Sequence, residues 1–152
     1  MWWGFTNKPE FTKHNWQFIV LHHSLTKDGN IVNMQSMRAY HMAWKYQGNI
    51  ITEEKAKQLI AAGTQGVEAP WNDIGYHFII ELVNGAYEIF VGRPLNMDGA
   101  HTTEQSMNKI GIGICCVGNF DLAAPSIELL HKLAILCRAG MDEYWMPISN
   151  IK

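Results

Sequence analysis

Charge is scarce in this sequence: 17% of its 152 residues are Asp, Glu, Lys or Arg, and they sum to a net charge of −2. That balance gives nucleic acid or an anionic membrane no handle, so neither is expected as a partner. No apolar run approaches the ~18 residues needed to cross a bilayer, so no membrane insertion is expected. Residues 1–10 lack the basic region and apolar stretch of a secretory leader, which points to cytoplasmic synthesis without a signal peptide. Cysteine is rare as well. Cys115, Cys116 and Cys137 form an odd set without CxxC spacing, which is no disulfide framework. The adjacent pair on a strand would send its sulfurs to opposite faces, poorly placed to grip one ion, so the cysteines read as small buried hydrophobes. Repeats, low-complexity tracts and an interdomain linker are missing. So are a P-loop, a dinucleotide fingerprint, a nucleophile elbow and an HExxH helix.

What is present is apolar and locally patterned. With 47% hydrophobic residues the chain is long enough for one domain with a sizeable core. Residues 17–22 read as a buried strand. Met34, Met37, His41 and Trp44 recur at helical spacing and predict a helix from Asn33, as cap, to Tyr46, ended by Gly48-Asn49. A shorter helix fits Thr52 to Ala62, with Thr52 as cap and Gly63 as stop. Residues 64–70 read as loop. Tyr76–Val83 and Ala86–Val91 alternate as strands around Asn84-Gly85, a strong two-residue hairpin signal. Residues 92–108 are expected to be a long loop, and such loops usually serve a function. Ile110–Val117, apolar on both faces, predicts a central strand. Pro125-Ser126 opens a helix with Leu129, Leu130, Leu133, Leu136 and Cys137 on one stripe. Met146–Ile151 is expected to begin a further strand. The expected fold is α/β: one domain, a central mixed sheet with helices on both faces.

The histidines divide by setting. His14 and His131 fall on presumed surface positions. His22 and His23 end an apolar strand and point to opposite faces. For His22, a core histidine bonded to a carbonyl and a zinc ligand are both open, and spacing alone leans to the former. Tyr76 opens a strand, where a half-buried packing residue is the common case. His101 lies in the long loop, where chemistry and plain solvation weigh about equally.

In chain order, His22-His23-Ser24, Met37-Arg38-Ala39-Tyr40-His41, Trp71 to Ile80, Gly92-Arg93, Gly99-Ala100-His101 and Ile110-Gly111-Ile112 to Val117-Gly118-Asn119-Phe120 resemble one family. It is the zinc-dependent N-acetylmuramoyl-L-alanine amidases, the type shared with phage lysozymes of amidase activity and peptidoglycan recognition proteins. The resemblance covers about residues 17–148. It implies cleavage of the amide between N-acetylmuramic acid and the L-alanine of the stem peptide by a zinc-activated water. It further implies His22 as a zinc ligand, Tyr76 as the catalytic tyrosine, and His23, His41 and His101 as residues that touch the muramyl-peptide. His77, alternating with Tyr76, is expected to be structural. Peptidoglycan is the implied partner and Zn²⁺ the implied cofactor. The setting would be the cell wall after lysis, as for a phage or prophage endolysin, or wall fragments in the cytosol.

Two departures from the family stand out. An insert of about residues 48–70 sits where close relatives have a short link. The segment that carries the family's other two zinc ligands would follow Lys152, so that end of the family domain is expected to be missing. Three readings stay open: a piece of a longer amidase, a zinc-free domain that binds peptidoglycan without cutting it, and a site rebuilt with His101. An interaction or regulatory protein on the same scaffold is a further class.

Overall fold

A computed structural model of the protein describes residues 14–26 and 33–152. Its main sheet has four strands: β1 (Phe18–His23), β5 (Phe78–Val83), β6 (Ala86–Val91) and β7 (Gly111–Cys116), in the order β1-β7-β5-β6. β7 is buried along its whole length and runs parallel to both β1 and β5, while β5 and β6 form an antiparallel hairpin. That hairpin turns at Asn84 (φ 51°) and Gly85 (φ 84°), two consecutive left-handed residues whose twist matches the strands they join. A mixed sheet with its apolar strand at the centre is what the sequence predicts.

Each face of the sheet has its own core. Ile19, Phe78, Ile80, Ile112, Ile114 and Cys116 pack with Leu129, Leu136 and Cys137 of α4 (Ile127–Tyr144). Ser126 starts that helix by accepting a hydrogen bond from Leu129 N. On the other face, Ile79, Cys115 and Val117 pack with Ile74 and with Met37 of α1 (Met34–His41). Cys115 and Cys116 thus point into different cores, as strand alternation requires. Asn33 caps α1 in a reciprocal box with Ser36, and Glu81 from β5 accepts from Met34 N at the same helix end. Among the described residues no helix is long and apolar enough to cross a membrane.

The expected helix from Asn33 to Tyr46 needs correction, because it ends at His41. Residues Trp44–Tyr46 form β2, which pairs with β3 (Asn49–Ile51) and with β4 (Val67–Glu68) in a second, antiparallel sheet. The aromatic and β-branched side chains of these segments favour strands, and Gln47 (φ 50°) with Gly48 (φ 77°) makes the tight turn. Gly48 therefore closes a hairpin and does not stop a helix. Between β3 and β4 lies α2 (Glu53–Ala61), capped by Thr52 as predicted and followed by Gly63 at φ 77°. The expected loop 92–108 is shorter at its end, because α3 (Gln105–Ile110) starts inside it. The expected strand Met146–Ile151 is mostly a 3₁₀ turn (Ile148–Asn150). Only Ile151 pairs with β1, in parallel, at Ile19.

Candidate active site

The site is assembled where the end of β1 and the segment leading into β5, which carries Tyr76, open onto the α1 face of the sheet. His22 pairs in register with Cys115 of β7, so both side chains stand on that face. The segment Asp73–Tyr76 is clamped from several sides. Asp73 Oδ1 accepts from Ile74 N and from Arg38 Nε, both at 2.7 Å. The buried guanidinium of Arg93 donates to the carbonyls of Ile74, Asp98 and Asp73 at 2.9, 2.7 and 3.1 Å. With five donors in a rigid fork, Arg93 fixes the loop that carries Tyr76 to the loop after β6.

Four rings then stand in a row. Centroid distances are 5.4 Å from His22 to Tyr76, 5.8 Å from Tyr76 to His41 and 4.6 Å from His41 to Trp71. His41 is held in place because its Nδ1 accepts from Gly75 N at 3.0 Å, while its carbonyl accepts from Trp71 N at 2.9 Å. Behind Trp71 lies Lys45 of β2, only 3% exposed. Its ammonium sits over the rings of Tyr40 and Trp71 at 5.2 and 5.6 Å, and 3.7 Å from Glu68. Glu68, from the insert, thereby braces the wall of the site through Lys45.

This row is electrically neutral at ordinary pH. Burial, with His101 and His23 nearby, holds the pKa of His22 down to about 4. Burial, with Lys45 and Arg93, does the same for His41, also to about 4. The Tyr76 phenol is pushed up to about 12 by burial and by its contact with the Cys115 thiol. Desolvation favours the uncharged form of every one of these groups.

The residues expected to act together are only partly brought together. His22, Tyr76 and His41 share one site. His23 leaves it: it points to the α4 side, where its Nδ1 accepts from Phe120 N at 3.0 Å. There it lines a cavity of about 290 Å³ with Leu21, His22, Phe120, Asp121 and Leu129. His101 is 8% exposed and uses both ring nitrogens, at 2.9 Å from His22 Nε2 and 3.0 Å from Gly111 O. Its position beneath His22 leaves little surface for a ligand. His77 is fully buried, accepts from Gly113 N and bonds Met97 O, so it supports the backbone as expected. Trp71 and Lys45 join the site only in the structure. The first lies within a motif already singled out; the second carried no signal, because its burial depends on a hairpin taken for helix.

The chemistry of the donor set tests the expected zinc. Among the described residues no three His, Cys, Asp or Glu side chains come together to hold a metal. Among the described residues of the site, His22 is the one candidate ligand. His101 has no free nitrogen, and the Cys115 thiol is buried with its pKa pushed up to about 12, which disfavours the thiolate a metal needs. These residues do not by themselves fit a zinc site.

Comparison with known proteins follows the same lines. The signature of the N-acetylmuramoyl-L-alanine amidase family matches residues 12–152. Human N-acetylmuramoyl-L-alanine amidase is 28% identical over 141 residues, which is 86% of this chain and 19% of that protein. The chain spans less than half the length of the curated relatives it matches. The N-acetylmuramoyl-L-alanine amidase LysC from Clostridium intestinale superposes with a TM-score of 0.59 at 25% identity, over 97% of this chain and 78% of that one. Peptidoglycan recognition protein LE, solved in complex with tracheal cytotoxin, a monomeric diaminopimelic acid-type peptidoglycan, gives a TM-score of 0.58 at 21% identity, over 99% of this chain and 76% of that one.

Proposed function

The chain belongs to the N-acetylmuramoyl-L-alanine amidase family, and we propose that its site takes the muramyl-peptide unit of peptidoglycan. The observation that carries this reading is the row His22–Tyr76–His41–Trp71. A muramyl-peptide joins a sugar, with an apolar face and hydroxyls, to a chain of amides. Neutral imidazoles and a neutral phenol offer such a ligand donors and acceptors without a charge that must be desolvated. Trp71, 38% exposed, gives the flat apolar surface on which a sugar or lactyl group can lie. A structural neighbour solved with a peptidoglycan fragment supports the ligand class.

The second reading is hydrolysis of the amide between N-acetylmuramic acid and L-alanine. It is favoured by the Tyr76 phenol beside His22, since a neutral phenol can donate to the carbonyl oxygen as negative charge grows there. The described residues supply one imidazole towards the family's zinc, so the chain's own contribution is to bind and orient the amide. Wall released by lysis and wall fragments in the cytosol are the two sources of substrate that fit.

Titration calorimetry with muramyl dipeptide, and co-sedimentation with purified peptidoglycan, test the binding reading. Saturable binding that His41→Ala and Trp71→Ala weaken is expected. Failure to bind either ligand refutes the proposal. Release of free L-alanine amino termini from peptidoglycan is the separate readout for hydrolysis.

A further inference from the structure

The ring of His101 occupies a place made for it. A Cβ on Gly113 would lie 2.4 Å from Cδ2 and Cγ of His101, and one on Gly99 would lie 2.5 Å from Cδ2. Asn108 fixes the backbone at this point, its Oδ1 accepting from His101 N at 2.9 Å and from Thr102 N at 3.1 Å. Two glycines and an asparagine thus set the ring on the floor of the sheet, directly beneath His22.

The proton positions follow from the partners. His101 Nε2 lies 3.0 Å from Gly111 O. A carbonyl oxygen has no proton to give, so that nitrogen is the donor. A neutral imidazole carries one N–H, which leaves Nδ1 of His101 with a lone pair. That lone pair faces Nε2 of His22 at 2.9 Å, so His22 Nε2 donates to it. The only proton of His22 is therefore spent downward. Its Nδ1 keeps a lone pair, and among the described residues no hydrogen bond engages it.

We propose that His101 is a positioning residue that locks His22 in the Nε2–H tautomer, so that the site presents the Nδ1 lone pair of His22 as an acceptor. Gly111 O anchors the relay, and Gly99 and Gly113 give it room. The acceptor would take an amide N–H or hydroxyl of the muramyl-peptide; that ligand class rests on the function proposed above, whereas the lock itself does not. His101 serves the ligand through His22 and does not touch it.

The lock is tested on the full chain, uniformly labelled with nitrogen-15, by long-range proton–nitrogen spectra of the imidazoles at pH 7. The unmodified protein is expected to show His22 protonated at Nε2 and bare at Nδ1, with a scalar coupling across the hydrogen bond to His101 Nδ1. In His101→Gln the amide NH₂ can still donate to Gly111 O while its oxygen accepts from His22, so the tautomer is retained. In His101→Leu the acceptor is gone, His22 becomes a tautomer mixture, and muramyl dipeptide affinity falls about tenfold. A His22 protonated at Nδ1 in the unmodified protein, an absent coupling, or an unchanged His22 pattern in His101→Leu overturns the proposal. The unmodified protein alone decides the matter if His101→Leu does not fold. The expected tautomer without muramyl dipeptide binding upholds the lock and refutes the ligand reading.

Discussion

Tyr76 packs against the core cluster that holds Cys115, a residue that pairs in register with His22 on the neighbouring strand. The sheet thus fixes the phenol from below while its ring faces His22 at 5.4 Å. Tyr76→Phe keeps the ring and its packing and removes only the hydroxyl. Because no group among the described residues is hydrogen-bonded to that half-buried hydroxyl, stability by urea unfolding should change by less than about 1 kcal/mol. Muramyl dipeptide binding should weaken by up to about tenfold in calorimetry, because the site loses a donor at its centre. Equal affinity in the two proteins would remove Tyr76 from the binding role.

Acid should destabilise the fold over a definite window. His22, His41 and His77 each have a pKa lowered from 6.5 to about 4, with burial the largest cause in every case. Unfolding returns them to the ordinary value, so below pH 6.5 the unfolded chain binds protons that the folded one refuses. Stability is therefore full above pH 6.5 and falls as pH drops towards 4. For His77, which is fully buried, the cost has an upper bound of roughly 3 kcal/mol. Urea unfolding at steps from pH 7.5 to 4.5 should show this slope, and His77→Gln should flatten it. A flat profile in the unmodified protein would contradict the neutral-imidazole description of the site.

Gly75 is a tight point of the site wall. A Cβ there would lie 2.4 Å from the Ala100 carbonyl oxygen and 2.9 Å from the Trp71 ring. Its amide also holds His41 through Nδ1. Gly75→Ala must push backbone away from backbone, at about 1–3 kcal/mol. Since Trp71 and His41 shift with it, affinity for muramyl dipeptide should fall more than for a surface change such as Lys132→Ala. Thermal unfolding and calorimetry on both variants would check this. A Gly75→Ala protein as stable and as tight-binding as the parent would mean the wall yields freely.

The parts of this architecture that local chemistry dictates were legible in the residues. Asn84-Gly85 fixed a hairpin because few residues accept two left-handed conformations in a row. Continuous apolarity placed β7 at the centre, and Ser126, Thr52 and Asn33 marked helix starts through their side-chain oxygens. The helix expected from Asn33 to Tyr46 overruns into β2, because Trp44 falls on the helical repeat of α1 and the turn after β2 is carried by Gln47, an unusual residue at positive φ. The motifs located His22, His41 and Tyr76. They gave no hint of the Lys45 ammonium behind Trp71 or the Cys115 thiol under Tyr76, since both contacts join segments far apart in the chain. The family resemblance implies His101 as a ligand contact, and only the three-dimensional position beneath His22 reveals two nitrogens already in use.

Metal binding by this chain can be anticipated from its donors. A catalytic zinc needs about three protein ligands, and affinity collapses when only one is offered. His22 supplies Nδ1; His101 has none to spare, and Cys115 would have to lose a proton at a pKa of about 12 in a buried place. Zinc added in slight excess at pH 7.5 should therefore raise the melting temperature by less than about 2 °C, and metal analysis after gel filtration should find well under one zinc per chain. His22→Ala should leave both results unchanged. Stoichiometric zinc that survives gel filtration and disappears in His22→Ala would show that donors beyond those described here complete the site, and would move hydrolysis ahead of binding as the primary activity.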